Sequence, residues 1–524
     1  MHCTPVRHTS FPNTSQLFAD ALYDPGRTGA FYRHPRRDAE SFRAAAAEIQ
    51  FSGEQRAALI AALGRQNPDC PSLQRLAQPG TVVVATGQQV GLFSGPAYSV
   101  YKALHAAKLA EWLTANGIPA VPVFWLATED HDFAEVNHVW VFDQEFQPRR
   151  LEMRRPASTQ PAGEVTLVEP PVGELRDTLG GLPFGEETAA LAAETYRAGA
   201  TMGQAFGGLL RRLLPDYGIL QVDPMLPEFR ELAAPAIRTA VESAADLTAG
   251  LIERNRQLAA AGYHAQVHLE ESTSLVFLLE NGKRLQLRRS GREYLLSGRR
   301  IGTGELAAQA RRLSPNALLR PVVQDSMMPT VAIVGGPAEV AYFAQSETIY
   351  RSILGRMPVA VPRAGFTVLD ARSQKRLERY GLTLTDFLAG GEAVQQRIAS
   401  TLVPPELNGA MRQAASTVDG AVEELRAALA GFDPTLAKAL DLSQRKIHHQ
   451  LSRIEAKAGR EALRRDERAA RDARWLNGLI YPERHPQERI YSFLPLLAQH
   501  GPGLASEVYA AIEPCGGDHR VLAA

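Results

Sequence analysis

Two short apolar runs, separated by a glycine-bearing turn and one helical stretch, restrict this chain more than any other feature. Thr81-Val82-Val83-Val84-Ala85 is short and β-branched, as befits a strand covered on both faces. It gives way to Thr86-Gly87-Gln88-Gln89-Val90-Gly91-Leu92-Phe93-Ser94-Gly95-Pro96, then to an amphipathic stretch carrying Val100, Leu104, Ala107, Leu109 and Leu113. Pro96 suits a first helical turn and Gly117 a C-terminal stop. A second apolar run, Ala120–Ala127, breaks at Glu129-Asp130-His131-Asp132. Strand, turn, helix, strand is a βαβ unit, and it predicts a parallel sheet.

The rhythm returns downstream. Gly218–Asp223 reads as a strand ending in a carboxylate, followed by a helical stretch from Glu228 to about Ala261. Thr330–Val334 is another strand, Gly335-Gly336-Pro337 opens a helix over Ala338–Leu354, and Met357–Val361 fits a last strand. The predicted class is α/β, a Rossmann-like parallel-sheet core over 1–375 with two inserted subdomains. One, about 141–215, begins rich in Pro, Gly and Glu; the other, 264–310, alternates as in Val267-His268-Leu269, which indicates a small antiparallel sheet. Over 384–475 the period changes. Leu407, Met411, Ala415, Val418, Val422, Leu425 and Leu429 recur at steps of three and four; after Gly431-Phe432-Asp433-Pro434 come Leu440, Ile447, Leu451, Ile454 and Ala458. Two narrow seams with a cap and a proline between them predict an antiparallel coiled-coil hairpin. Residues 476–524 are expected to pack back onto the core.

A chain of 524 residues exceeds one compact core. Lys plus Arg and Asp plus Glu each total 57, which removes the electrostatic case for a nucleic-acid or acidic-membrane partner. Cys3, Cys70 and Cys515 form no CxxC pair and fit a reducing compartment. No apolar run approaches the roughly 20 residues of a membrane span, and the first residues lack a signal-peptide core. The expectation is a cytoplasmic protein.

Three segments carry chemistry. The 86–96 turn follows a strand and precedes a helix, so its glycines and the unpaired N–H groups of the helix start could bind phosphate or carboxylate, with Thr86, Gly87, Gly91, Ser94 and Gly95 as the anion set. Gln88 and Gln89 add amides that donate and accept. The alternative is a tight turn without a ligand. Glu129-Asp130-His131-Asp132 at a strand end could hold an ammonium, bind sugar hydroxyls, coordinate a metal or transfer a proton, with Asn137 and His138 close behind. No HExxH-like companion supports a metal. Gly335 and Gly336 repeat the strand–turn–helix arrangement; Glu339, Tyr342 and Gln345, three apart, could form a substrate-facing stripe or a packed one. Arg320 could pair a carboxylate or make a structural salt bridge. Pro486-Gln487-Glu488-Arg489 reads as a capping turn.

Together, TGQQVGLFSGPAYSVYKA (86–103), PVFWLATEDHDFAEVNH (122–138), SPNALLRPVVQDSMMPTVAIVGGPAEVAYFAQ (314–345) and PQERIYSFL (486–494) resemble the BshC family of bacillithiol biosynthesis. The resemblance implies a Rossmann core with connecting insertions, a coiled-coil domain that promotes a homodimer, and a ligase joining L-cysteine to glucosaminyl-malate. It also implies kinship with class I aminoacyl-tRNA synthetases, whose HIGH motif binds ATP. Here that place reads Gly87-Gln88-Gln89-Val90-Gly91, and Ala371-Arg372-Ser373-Gln374-Lys375 is only a faint echo of KMSKS. ATP or another nucleotide is the expected cofactor, because carboxylate and ammonium do not condense usefully in water unaided. His131 is expected as the base, oriented by Asp130 or Asp132, with Glu129 and Asn137 holding sugar or ammonium. Competing readings are an adenylate-forming or nucleotidyl-transferring enzyme acting on another amine, and an inactive coiled-coil scaffold.

Overall fold

The computed structural model describes residues 3–154, 160–433 and 435–524. Five strands form a wholly parallel sheet: β1 (Val82–Gln89), β2 (Ala120–Ala127), β3 (Leu220–Val222), β4 (Thr330–Gly335) and β5 (Val359–Pro362). Their spatial order is β5-β4-β1-β2-β3. The chain therefore builds outward from β1 to β3 and returns to the other side of β1 to lay down β4. That reversal opens a crevice at the carboxyl ends of β1 and β4, where ligands of open α/β sheets bind. The buried Val, Ile and Ala runs of β1, β2 and β4 explain why these strands sit centrally. The Rossmann-like, parallel-sheet prediction holds.

β1 runs four residues further than its apolar run, so Thr86 to Gln89 are strand, in register with Phe124 to Ala127. Gly87 is required there: a Cβ would stand 2.7 Å from the Trp125 carbonyl oxygen. The following helix, α1 (Tyr98–Ala115), starts two residues after Pro96, which instead bridges Ser492 in extended pairing. Gly117 does end it, at φ 81°. The helix is buried nearly all round, its polar Lys102 and His105 included, so the expected amphipathic character is weak. The stretch expected as one helix from Glu228 is two, Pro227–Glu242 and Ala244–Ala260, parted at Ser243 (φ −97°, ψ 13°).

The alternating insert is an antiparallel sheet of Thr273–Glu280, Lys283–Ser290, Glu293–Leu296 and Arg299–Gly302, with Leu313–Pro315 added at one edge. Asn281 and Gly282 take positive φ between its first two strands, the tight hairpin turn favoured by strand twist. After it come α2 (Arg320–Met327) and α3 (Pro337–Ile353), the second of which caps itself through Glu339 onto the Gly336 N–H.

The chain forms two compact units. One holds Met1–Gln144, Pro148–Val368 and Gln487–Ala524; the other holds Glu145–Gln147 and Leu369–Pro486. In the second unit α4 (Pro405–Phe432) and α5 (Thr435–Arg465) form the antiparallel hairpin. Pro434, expected to start the second helix, lies outside the described residues. Val422 is buried in the seam, and Met411, Ala415, Val418, Leu440 and Leu451 are half-buried. The seam spacing also predicts Leu407, Leu425, Ile447 and Ile454 inside, yet they face outward, 43%, 48%, 41% and 57% exposed. Among the described residues no helix is long and apolar enough to cross a membrane.

Candidate functional site

The register of β1 with β2 decides what meets at the sheet edge. Gln88 lies opposite Leu126 and Gln89 opposite Ala127, so the glutamines finish level with the start of the acidic turn. Both open into a cleft of about 670 Å³, within the usual span of ligand pockets. Its lining includes Gly87, Gln88, Gln89, Glu129, Asp130, His131 and Asp132, joined by Gly336, Glu339, Tyr342 and Arg320.

Sequence reasoning passed over further lining residues, among them Tyr98, Lys102, Glu135, Phe277, Arg284, Arg363 and Arg489. Lys102 and His105 had a visible signal, two basic side chains in a helix otherwise fit for burial. Arg363, Arg284 and Arg489 had none, since only the topology carries them to this edge.

The floor is a buried charge network. Lys102 Nζ donates to the Gly87 carbonyl (2.9 Å), to Gln88 Oε1 (3.0 Å) and to the Glu339 carboxylate. Burial pulls the Lys102 ammonium below its usual range against the opposing charge of Glu339. Burial works equally against the Glu339 carboxylate, but Lys102 holds it below the ordinary range. Beside them Arg363 makes two hydrogen bonds to Glu488, at 2.9 and 2.6 Å, and lies 5.0 Å from the centre of the Tyr98 ring. Glu488 resists ionisation by burial, yet Arg363 lowers it to about 2. The supposed capping turn at 486–489 thus anchors a core ion pair.

The acidic turn divides its labour. Asp130 accepts from Gln89 Nε2 (2.8 Å), from the His131 N–H (2.7 Å) and from Arg284 (3.3 Å). Burial opposes its ionisation, but these donors and the Arg284 charge hold it below the usual range. Its oxygens are therefore committed to holding the loop. Glu129, 3% exposed, meets Arg230 at 3.4 Å through one oxygen, while the other, buried, has no partner among the described residues. Such an atom calls for a donor. The expected carboxylate-oriented histidine is not formed: Asp130 Oδ1 is 3.6 Å from His131 Nδ1, and Arg284 Nη1 occupies that nitrogen at 3.1 Å. Asp132 is exposed at the rim.

Several expected site residues lie elsewhere. Thr86 donates to the Val334 carbonyl inside the sheet. Gly91 and Ser94 are both engaged by the Tyr196 hydroxyl, and Gly95 continues that buried turn. Gly335 is strand, tight against Glu339 and Phe343, and the Gly336 N–H is already taken by Glu339. Among the described residues the Ser94, Gly95 and Gly336 N–H groups are taken within the protein, which leaves little of an anion cradle. Asn137 is buried and bonds Glu152 and the Met153 carbonyl. Gln345 bonds the Val267 backbone on another face of α3, because six residues turn a helix about 120° away from Glu339.

Among the described residues two cations of the lining remain available. There Arg320 donates to neutral oxygens, Gln324 Oε1 (3.1 Å) and the Tyr342 hydroxyl (3.3 Å), with the Glu339 charge near enough to favour its charged form. Arg489 is exposed and has no ion-pair partner among the described residues. Also among the described residues, no three His, Cys, Asp or Glu side chains gather as a metal site.

The comparisons agree in one direction. Residues 1–364 match the family model described as Bacillithiol biosynthesis BshC, N-terminal Rossmann-like domain, and 366–524 match the BshC C-terminal coiled-coil domain. A Solibacter usitatus protein named "Putative cysteine ligase BshC" is 63% identical, with 100% of each chain covered. Relatives of the same name from Koribacter versatilis (34% identical, 99% of each chain) and Heliobacterium modesticaldum (33%, 87% of this chain and 86% of the relative) follow.

Proposed function

The chain belongs to the BshC family, and from that premise we propose that it is a ligase joining L-cysteine to glucosaminyl-malate through an amide, giving bacillithiol in the cytoplasm. One observation carries the reading: Gln88, Gln89 and the Glu129–Asp132 turn share a single cleft at the carboxyl edge of the sheet. In it Glu129 takes the amine, because its buried, unpartnered oxygen suits an ammonium donor. Arg320 and Arg489 take carboxylate or phosphate, being the lining cations without a hydrogen bond to a carboxylate among the described residues. His131, Tyr98 and Tyr342 line the space between. A nucleotide, when bound, would supply the leaving group that makes the acyl carbon electrophilic. Its phosphates fit the two arginines better than the glycine turns, where the Ser94, Gly95 and Gly336 N–H groups are already engaged. The outward Leu425, Ile447 and Ile454 support a homodimer formed through α4 and α5.

The test uses purified full-length protein with L-cysteine, glucosaminyl-malate and ATP, read by mass spectrometry. Formation of the amide, lost in Glu129→Ala and Arg320→Ala, is the expected result. No product with any nucleoside triphosphate, or product unaffected by both substitutions, would sink the reading.

A further inference from the structure

The role of His131 turns on one pair of atoms. Arg284 Nη1 lies 3.1 Å from His131 Nδ1. A guanidinium has five N–H donors and no acceptor, so Nδ1 must accept, and a neutral ring then carries its proton on Nε2. An N–H at Nδ1 would meet another N–H head-on. Arg284 has little freedom to step aside: Nε donates to Ser314 Oγ (3.0 Å), Nη2 donates to the Pro315 carbonyl (2.9 Å), and the guanidinium stacks 4.0 Å from the Phe277 ring centre. The same Phe277 flanks the imidazole, ring centres 5.6 Å apart. In a carboxylate–histidine pair the carboxylate accepts from Nδ1–H, which leaves Nε2 as the proton acceptor. An arginine in the carboxylate's place inverts that polarity.

We propose that Arg284 fixes His131 as an Nε2–H donor to the cleft, so that the imidazole hydrogen-bonds negative charge on an acyl or phosphoryl oxygen and takes no proton from the amine. This rests on the cleft being the ligase active site. Arg284 is a positioning residue. Nε2 has no partner among the described residues, and His131 lines the cleft, so the donor is free to serve a ligand. A neutral imidazole used as an electrophile is a known solution for carbonyl chemistry.

Two measurements on the full chain test it. In protein labelled with 15N-histidine, the His131 ring, assigned by its loss in His131→Gln, should show a protonated Nε2 and a bare Nδ1. Arg284→Met should abolish that preference, and Arg284→Lys should keep it. A proton on Nδ1 in the parent protein overturns the proposal. In turnover, His131→Ala should lose about 100-fold or more, as when one oxyanion donor is removed, while His131→Gln, whose amide replaces the Nε2–H donor, should stay within about 10-fold of the parent. Equal loss in both variants overturns the donor role yet leaves the cleft as the active site. No loss in either overturns the cleft reading as well, so the two failures are distinguishable.

Discussion

The cleft and the α4–α5 hairpin are both dense in charge, and they use it in opposite ways. Around the cleft, Arg363 and Glu488 are 5% and 4% exposed and carry a bidentate ion pair. On the hairpin, Asp419 accepts from Gln444 and His448, each at 2.7 Å, and Arg426 meets Asp441 at 2.6 Å, all at the surface. Water screens the second set and barely reaches the first. Removing one member of a buried pair strands the other in low dielectric, whereas an exposed partner simply rehydrates. Similar distances therefore carry very different consequences.

The largest expected effect separates them at once. Glu488→Ala leaves Arg363 buried without its carboxylate and should cost about 3–5 kcal/mol, read as a lower denaturant midpoint. Acid should reach the same unit next. His8, His105 and His519 are buried, and burial lowers each from 6.5 to about 4. Between those values the unfolded chain binds protons that the folded chain refuses, so stability present above pH 6.5 falls as pH drops toward 4. Glu488 is also depressed, from 4.5 to about 2, and its contribution, present above 4.5, is lost as pH falls toward 2. Unfolding free energy measured from pH 7 to pH 3 should slope downward throughout, and His105→Gln should flatten its upper part. A flat profile between pH 6.5 and 4 would mean these rings are already charged in the fold.

How much of this was legible in the sequence follows the same division. Strand and helix order could be read because burial on both faces writes continuous apolar runs, and the hairpin because a seam writes steps of three and four. The meeting of Gln89 with Asp130 was inferable from strand order alone. Local pattern misled where a long-range partner decides: Ser94 and Gly95 resemble an anion cradle until Tyr196 arrives from far along the chain. Arg284 lies in an insert whose alternation speaks of sheet and says nothing of His131. Ile447 fits the seam's heptad by spacing, yet it faces outward.

A smaller effect sharpens the comparison inside the cleft. Glu129→Gln keeps the shape but exchanges a carboxylate for an amide, so an ammonium loses one charged hydrogen bond. About 10- to 100-fold weaker binding of the amine substrate is expected; Arg230 loses a buried opposite charge but keeps an amide oxygen to donate to, so the unfolding midpoint should fall by less than in Glu488→Ala. Calorimetric titration against glucosaminyl-malate reads it. Unchanged affinity would assign the buried oxygen to some other donor.

The smallest expected effect lies on the hairpin and is the sharpest way to break the contrast. Asp419→Asn removes the charge that meets His448, and both side chains stay in water. The exposed pair loses little because each partner keeps its hydration and regains rotamer freedom. The unfolding midpoint and the helical circular dichroism should be indistinguishable from the parent, at low salt as at high. If Asp419→Asn instead shifted the midpoint as Glu488→Ala does, that surface would have to be dry in solution. Asp419 would then lie inside the same dimer seam that covers the outward Ile447 and Ile454, and the shift should depend on protein concentration, as folding coupled to assembly requires.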